Sequence, residues 1–175
     1  MPVFPFKGVW PTIADDVFIA PGAMIIGDVT VLEGASIWYN AVVRGDVAPI
    51  VIGRHTNIQD NCTLHVDVDA PLTISEECTV GHGAVLHGAT IDHHVLIGMK
   101  AVVLSHARVG SGTIIGACAL VAEHKTIPEG VLAIGIPAKV ARSLTPAESE
   151  HIITSAEGYA ERGRLHKAST SSFQE

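Results

Sequence analysis

The chain has 175 residues, enough for one domain with a sizeable core; 47% are hydrophobic but only 5% aromatic, so the core must be built from Val, Ile, Leu and Ala. A formal net charge of −7 with no basic cluster argues against nucleic acid and against an anionic membrane surface. Cys62, Cys78 and Cys118 are too scattered for a disulfide scaffold, no apolar run reaches the roughly 20 residues of a membrane span, and "MPVFPFKGVWPTIADD" lacks a charged region followed by an apolar one, so a soluble, cytoplasmic protein is expected.

From Ile13 onward, aliphatic residues recur every six positions: Ile13, Ile19, Ile25, Val31, Ile37 and Val43. The pattern resumes at Ile52, Ile58 and Leu64, then at Ile74 and Val80, and runs from Val85 through Ile91, Ile97, Val103, Val109, Ile115 and Val121. Glycine often follows, as in Ile26-Gly27, Ile97-Gly98 and Ile115-Gly116. A six-residue period is the signature of a hexapeptide β-helix. One aliphatic side chain per hexad points into a narrow prism, small residues turn the corners, and successive coils stack as parallel strands about 4.8 Å apart. Three hexads make one triangular coil. The fold class this repeat resembles winds left-handed. The expected architecture is therefore all-β, a left-handed parallel β-helix over residues 1–142.

Helical periodicity begins only at "SLTPAESEHIITSAEGYAERGRLHKA". Thr145 suits an N-cap, Pro146 the first helical position, and Glu148 completes a capping box. Ile152, Ile153, Ala156, Tyr159 and Ala160 form an apolar stripe. These features predict a helix within 143–168, packed on the outside of the prism, and a flexible tail over 169–175.

Phase counting places the histidines. If Leu64 starts face A, Ile74 falls on face B, Val80 on face C, and the start at Val85 or Leu86 returns to face A, with one residue missing in that last step. His65 and His87 then share a face in consecutive coils, one strand spacing apart. Two imidazoles so placed can share a zinc at about 2.0–2.1 Å each. His82 falls on another face, so the third ligand is expected from His82 of a neighbouring chain. Each chain would give two ligands to one metal and one to the next, a pattern that closes in a homotrimer. His55, His93, His94, His106, His124, His151 and His166 read as ordinary histidines.

The stretches "VVRGDVAPIVIGRHTNIQDNCTLHV", "TVGHGAVLHG" and "LIGMKAVV" resemble the gamma-class carbonic anhydrase family over nearly the whole chain, from Val9 to about Tyr159. The resemblance implies a homotrimer with Zn2+ (Fe2+ or Co2+ as alternatives) between subunits, and its ligand histidines match His65, His82 and His87. It also implies that Arg44 and Asp46 lie at the subunit contact and that Asp60 pairs with the arginine across it. Gln59 matches a glutamine that bonds solvent on the metal, Asn57 a substrate-pocket asparagine, and Tyr159 a tyrosine near the site. The implied activity is reversible hydration of carbon dioxide to bicarbonate, with water activated at the metal. Val47 stands where the best-studied type of the family has a glutamate, and "VDVDAP" replaces a longer acidic loop with a shuttle glutamate. Asp67, Asp69, Tyr159 or buffer are left to carry the proton. The alternatives are a metal-dependent thioesterase or hexapeptide acyltransferase on CoA thioesters, and an inactive trimeric scaffold.

Overall fold

The computed structural model describes residues 3–171. It is a parallel β-helix whose inward aliphatic side chains stack in three columns. Face A carries Ile25, Val43, Leu64, Leu86, Val103 and Val121, paired rung by rung. Face B carries Ile13, Val31, Ile52, Ile74, Ile91, Val109 and Ile127. Face C carries Ile19, Ile37, Ile58, Val80, Ile97, Ile115 and Ala133. Apart from the partly buried Ile13 and Ile19, these side chains are essentially inaccessible to solvent. Each fully buried aliphatic chain contributes about 1.5–3 kcal/mol, so the ladder itself is the core.

Of the two possible starts, Val85 and Leu86, the structure selects Leu86, so the hexad counted from Val85 is one residue out of phase. Leu86, not Val85, pairs with Leu64 and Val103 and is fully buried, while Val85 is only partly so. The hexad deficit lies after Leu86, where Gly88 turns the A/B corner with φ +54°. A Cβ at Gly88 would lie 2.7 Å from the Ala70 side chain, so the shortened corner tolerates only glycine. Many other corners are turned by left-handed residues as well, among them His55 and His94 between faces B and C, and His106 and His124 between faces A and B. Those histidines have a structural location, since histidine is among the residues that tolerate this region.

Two insertions break the hexad rhythm. Residues 46–49 extend the strand Val42–Ile52, with a register shift against Gly27–Val29. Residues 67–70 form a turn closed by a bridge between Asp67 and Ala70. At the far end, strand Lys139–Ser143 folds back antiparallel on Val131–Ile134 and ends the stack.

The helix runs Pro146–Ser171, starting later and ending later than the expected span, so the expected tail over 169–175 is helical as far as Ser171; residues 172–175 lie outside the described residues. The capping box forms: Glu148 N–H donates to Thr145 Oγ1 (3.3 Å) and Thr145 N–H to Glu148 Oε2 (2.9 Å). Ile152 and Ala156 are buried against the prism, but Ile153 is 40% exposed and does not belong to the buried stripe. Close approach comes from Gly163, where a Cβ would stand 3.2 Å from Ser36 Cβ. Around that contact Phe18, Trp38, Tyr39, Tyr159 and His166 pack ring on ring, and Tyr39 Oη lies 3.0 Å from His166 Nδ1. This cluster fixes the helix against face C.

Candidate metal centre

The ladder brings His65 and His87 together as direct partners on adjacent rungs. Arg44 follows Val43, the partner of Leu64, and so stands one rung below His65. The rings face each other with His65 Nδ1 3.0 Å from His87 Nε2. Their far nitrogens are held. His65 Nε2 lies 3.0 Å from Asp46 Oδ1, and His87 Nδ1 lies 2.9 Å from Ser105 Oγ, which donates to Asp67 Oδ2 at 3.0 Å. Arg44 forms an ion pair with Asp46 in the same chain. Burial pushes the Asp46 carboxyl up, but the hydrogen bonds from His65 and Arg44 outweigh it and hold it below the usual carboxylate range.

This donor set fits a divalent cation. Two tetrahedral ligands at 2.0–2.1 Å have their nitrogens about 3.3 Å apart, close to the 3.0 Å observed. With the far nitrogens donating to Asp46 and Ser105, both facing nitrogens present lone pairs. Two facing lone pairs repel unless a proton or a metal lies between them. A far nitrogen tied to a carboxylate or hydroxyl is also what orients a metal-ligating imidazole.

His82 stands elsewhere. It follows Val80 and Gly81 on face C and precedes the C/A corner, whereas His65 and His87 lie at the A/B end of face A. Its side chain is 42% exposed, and its Nδ1 lies 2.7 Å from Asp60 Oδ2, which leaves Nε2 as the other nitrogen. Among the described residues no three His, Cys, Asp or Glu side chains of a single chain form a metal-binding group. Asp60 meets His82, not Arg44, within one chain.

Around His82 the other expected residues assemble. Gln59 Oε1 accepts the His82 N–H (3.2 Å), and Gln59 Nε2 donates to Asn57 Oδ1 (3.1 Å). Asn57 Nδ2 donates to Thr79 Oγ1 (2.9 Å) and to the Cys78 carbonyl (3.2 Å). A cavity of about 400 Å³ opens between face C and the helix, lined by Gln59, His82, Leu96, Met99, Ile114 and Tyr159. Tyr159 packs edge-on against Trp38 with centroids 5.4 Å apart, and Arg162 lies over its ring.

One chain thus carries two separate clusters: Arg44, Asp46, His65 and His87 at the A/B end, and Asn57, Gln59, Asp60, His82 and Tyr159 on and beside face C. Ser105 and Thr79 were missed in the sequence. Ser105 lies 18 residues after His87, one coil on, and only the register shows that it supports that ring. Buried Cys62 donates to the Gly81 carbonyl, and burial pushes its thiol up to about 12, so it is no thiolate donor.

Residues 11–45 match the family model described as bacterial transferase hexapeptide (six repeats). The chain is 46% identical over 166 residues to a carbonic anhydrase of Geobacillus kaustophilus, covering 95% of this chain and 91% of that one. It is 40% identical to the mitochondrial gamma carbonic anhydrase 2 of Arabidopsis thaliana, covering 94% of this chain and 62% of that longer protein. A Bacillus cereus crystal structure described as an acetyltransferase superposes with a TM-score of 0.94 at 43% identity, covering 95% of this chain and 96% of that one. No helix among the described residues is long and apolar enough to cross a membrane.

Proposed function

Given that this chain belongs to the gamma carbonic anhydrase family, we propose that it catalyses the reversible hydration of carbon dioxide to bicarbonate at a divalent metal, zinc in the first instance, shared between subunits of a homotrimer. The observation that carries this reading is the His65–His87 pair, with facing nitrogens 3.0 Å apart and far nitrogens held by Asp46 and Ser105. His82 of a second copy, its Nδ1 tied to Asp60, supplies the third nitrogen. Three neutral imidazoles would hold the metal, which would supply the Lewis acidity that brings the pKa of water to about 7.

The chain's own residues then have distinct tasks. Gln59 is clamped by the His82 N–H on its oxygen and by Asn57 on its nitrogen. Its second amide proton is the donor we assign to a substrate oxygen. Asn57 takes a positioning role, because its amide nitrogen already donates to Thr79 and Cys78. That differs from the pocket role expected of it. Tyr159 walls the cavity with its ring fixed by Trp38. Asp67 accepts the Ser105 hydroxyl proton, and its Oδ2 lies 3.6 Å from His87 Nδ1, so the short loop reaches that ring. Asp69, further along the turn, is exposed in the single chain and lies 3.8 Å from His106.

Stopped-flow measurement of carbon dioxide hydration on zinc-, iron(II)- and cobalt-reconstituted protein tests the proposal. Metal-dependent hydration that disappears in His87→Ala supports it. Stoichiometric metal with no hydration contradicts it, and CoA thioesters assayed alongside test the thioesterase alternative.

A further inference from the structure

The cavity beside His82 is largely apolar with an exposed lysine next to it, and the turn after His65 presents an apolar tip between carboxylates. The turn is rigid: Asp67 and Ala70 exchange backbone hydrogen bonds of 3.3 and 3.1 Å, and Ser105 donates to Asp67. It therefore holds Val68 out into solvent, 80% exposed, with the Asp69 side chain 83% exposed next to it. The cavity is aliphatic on its face C side, where Leu96, Ile114 and Ile115 line it, its rim carries Met99 at 57% exposure, and the exposed Lys100 follows at the C/A corner.

We propose that the turn 67–70 of one protomer seats in the face C cavity of the next, Val68 entering beside Met99 and Asp69 approaching Lys100. This rests on the shared-metal reading above, and three observations carry it further. Reach comes first: Val68 is three residues past His65, so its Cα lies within about 11 Å of a ligand that His82 of the neighbour must meet. Height comes second. The turn leans onto Ser105 and His106, which follow Val103 one rung above Leu86. Met99 and Lys100 lead into that same rung, Lys100 N–H donating to the His82 carbonyl (2.9 Å). The shared-metal reading sets the threefold axis parallel to the prism, because His82 and His87 belong to one coil; rotation about that axis preserves height, so turn and cavity face each other at one level. Chemistry is third: an apolar tip between carboxylates meets an apolar cavity with a lysine at its rim. The neighbour then closes the wall over the cavity, and the short loop acts as an intersubunit plug.

The test uses the full chain with the exposed Cys118 replaced by Ser. Val68→Cys combined with Met99→Cys, or with Ala117→Cys as a second geometry, should give interchain covalent dimers and trimers on a non-reducing gel after mild oxidation. Neither single variant should. Asp69→Lys should weaken each interface about fivefold, a size typical of one interfacial charge pair, and so raise the dissociation constant of a trimer with three such interfaces about a hundredfold; Lys100→Asp in the same chain should restore it. Met99→Cys should be shielded from maleimide in trimers. Trimers with no interchain bond in either pair, or with Cys at 99 freely alkylated, would overturn the plug while leaving the shared-metal reading intact, and would assign the cavity to a free ligand. A monomer at all concentrations would overturn both.

Discussion

Removing the hydroxyl of Ser105 isolates the support of His87 from the ligand itself. Ser105 is 5% exposed, and its Oγ lies between His87 Nδ1 (2.9 Å) and Asp67 Oδ2 (3.0 Å). In Ser105→Ala the ring loses its anchor, and Asp67, 3.6 Å from Nδ1, must move by a few tenths of an ångström to replace it. Loss of such a support costs about 10–100-fold in metal affinity, or about 1.4–2.7 kcal/mol. The partial replacement by Asp67 puts the expected loss near tenfold, and Ser105→Ala with Asp67→Asn near a hundredfold. Global stability should fall by only about 0.5–1.5 kcal/mol, the net value of one hydrogen bond. Zinc affinity is read by competition with a chromophoric chelator, stability by urea unfolding of metal-free protein. An affinity within twofold of the parent in the double variant would refute the assignment of these two residues as the support of His87.

Leu86→Ala should cost about 2–5 kcal/mol in urea unfolding, as a fully buried rung of face A, and Val85→Ala about 1 kcal/mol or less; equal costs would contradict the register. The helix cap should respond to acid. Hydrogen bonds from Arg142 and Thr145 hold the Glu148 carboxyl at about 2, so its contribution is fully present above about 4.5 and fades as pH falls toward about 2. Helical ellipticity in heat-denaturation curves should lose that pH dependence in Glu148→Gln, and an unchanged acid profile would contradict it.

The aliphatic ladder was legible because one inward side chain per hexad is a strict packing demand. Its phase near residue 85 was not, because Val85 and Leu86 are both aliphatic neighbours and only the turn at Gly88 decides which points inward. His65 and His87 could be paired by counting coils, since the ladder turns sequence phase into height. Ser105 could not, because a serine one coil above a histidine carries no periodic signal. Ile153 looked like part of the helix stripe, yet the helix seats through Ile152, Ala156 and Gly163, where small side chains allow close approach to Ser36. The Asp67–Asp69 loop offered carboxylates in the sequence but no indication of where they stand. In the fold it bends onto Ser105 and comes within 3.6 Å of the His87 ring.

The central claim is that each metal is bound by His65 and His87 of one chain and His82 of another. The most direct test is to mix His82→Ala and His87→Ala chains one to one, unfold and refold them together, and measure bound zinc per chain. Each variant alone has no complete site. In randomly assorted closed trimers a site is complete when a His82→Ala chain offers its pair to a His87→Ala neighbour, which happens for about one site in four. The account predicts recovery of about a quarter of the parent's zinc. Mixed trimers that form, as shown by differential tags, yet hold no more zinc than either variant alone would contradict it.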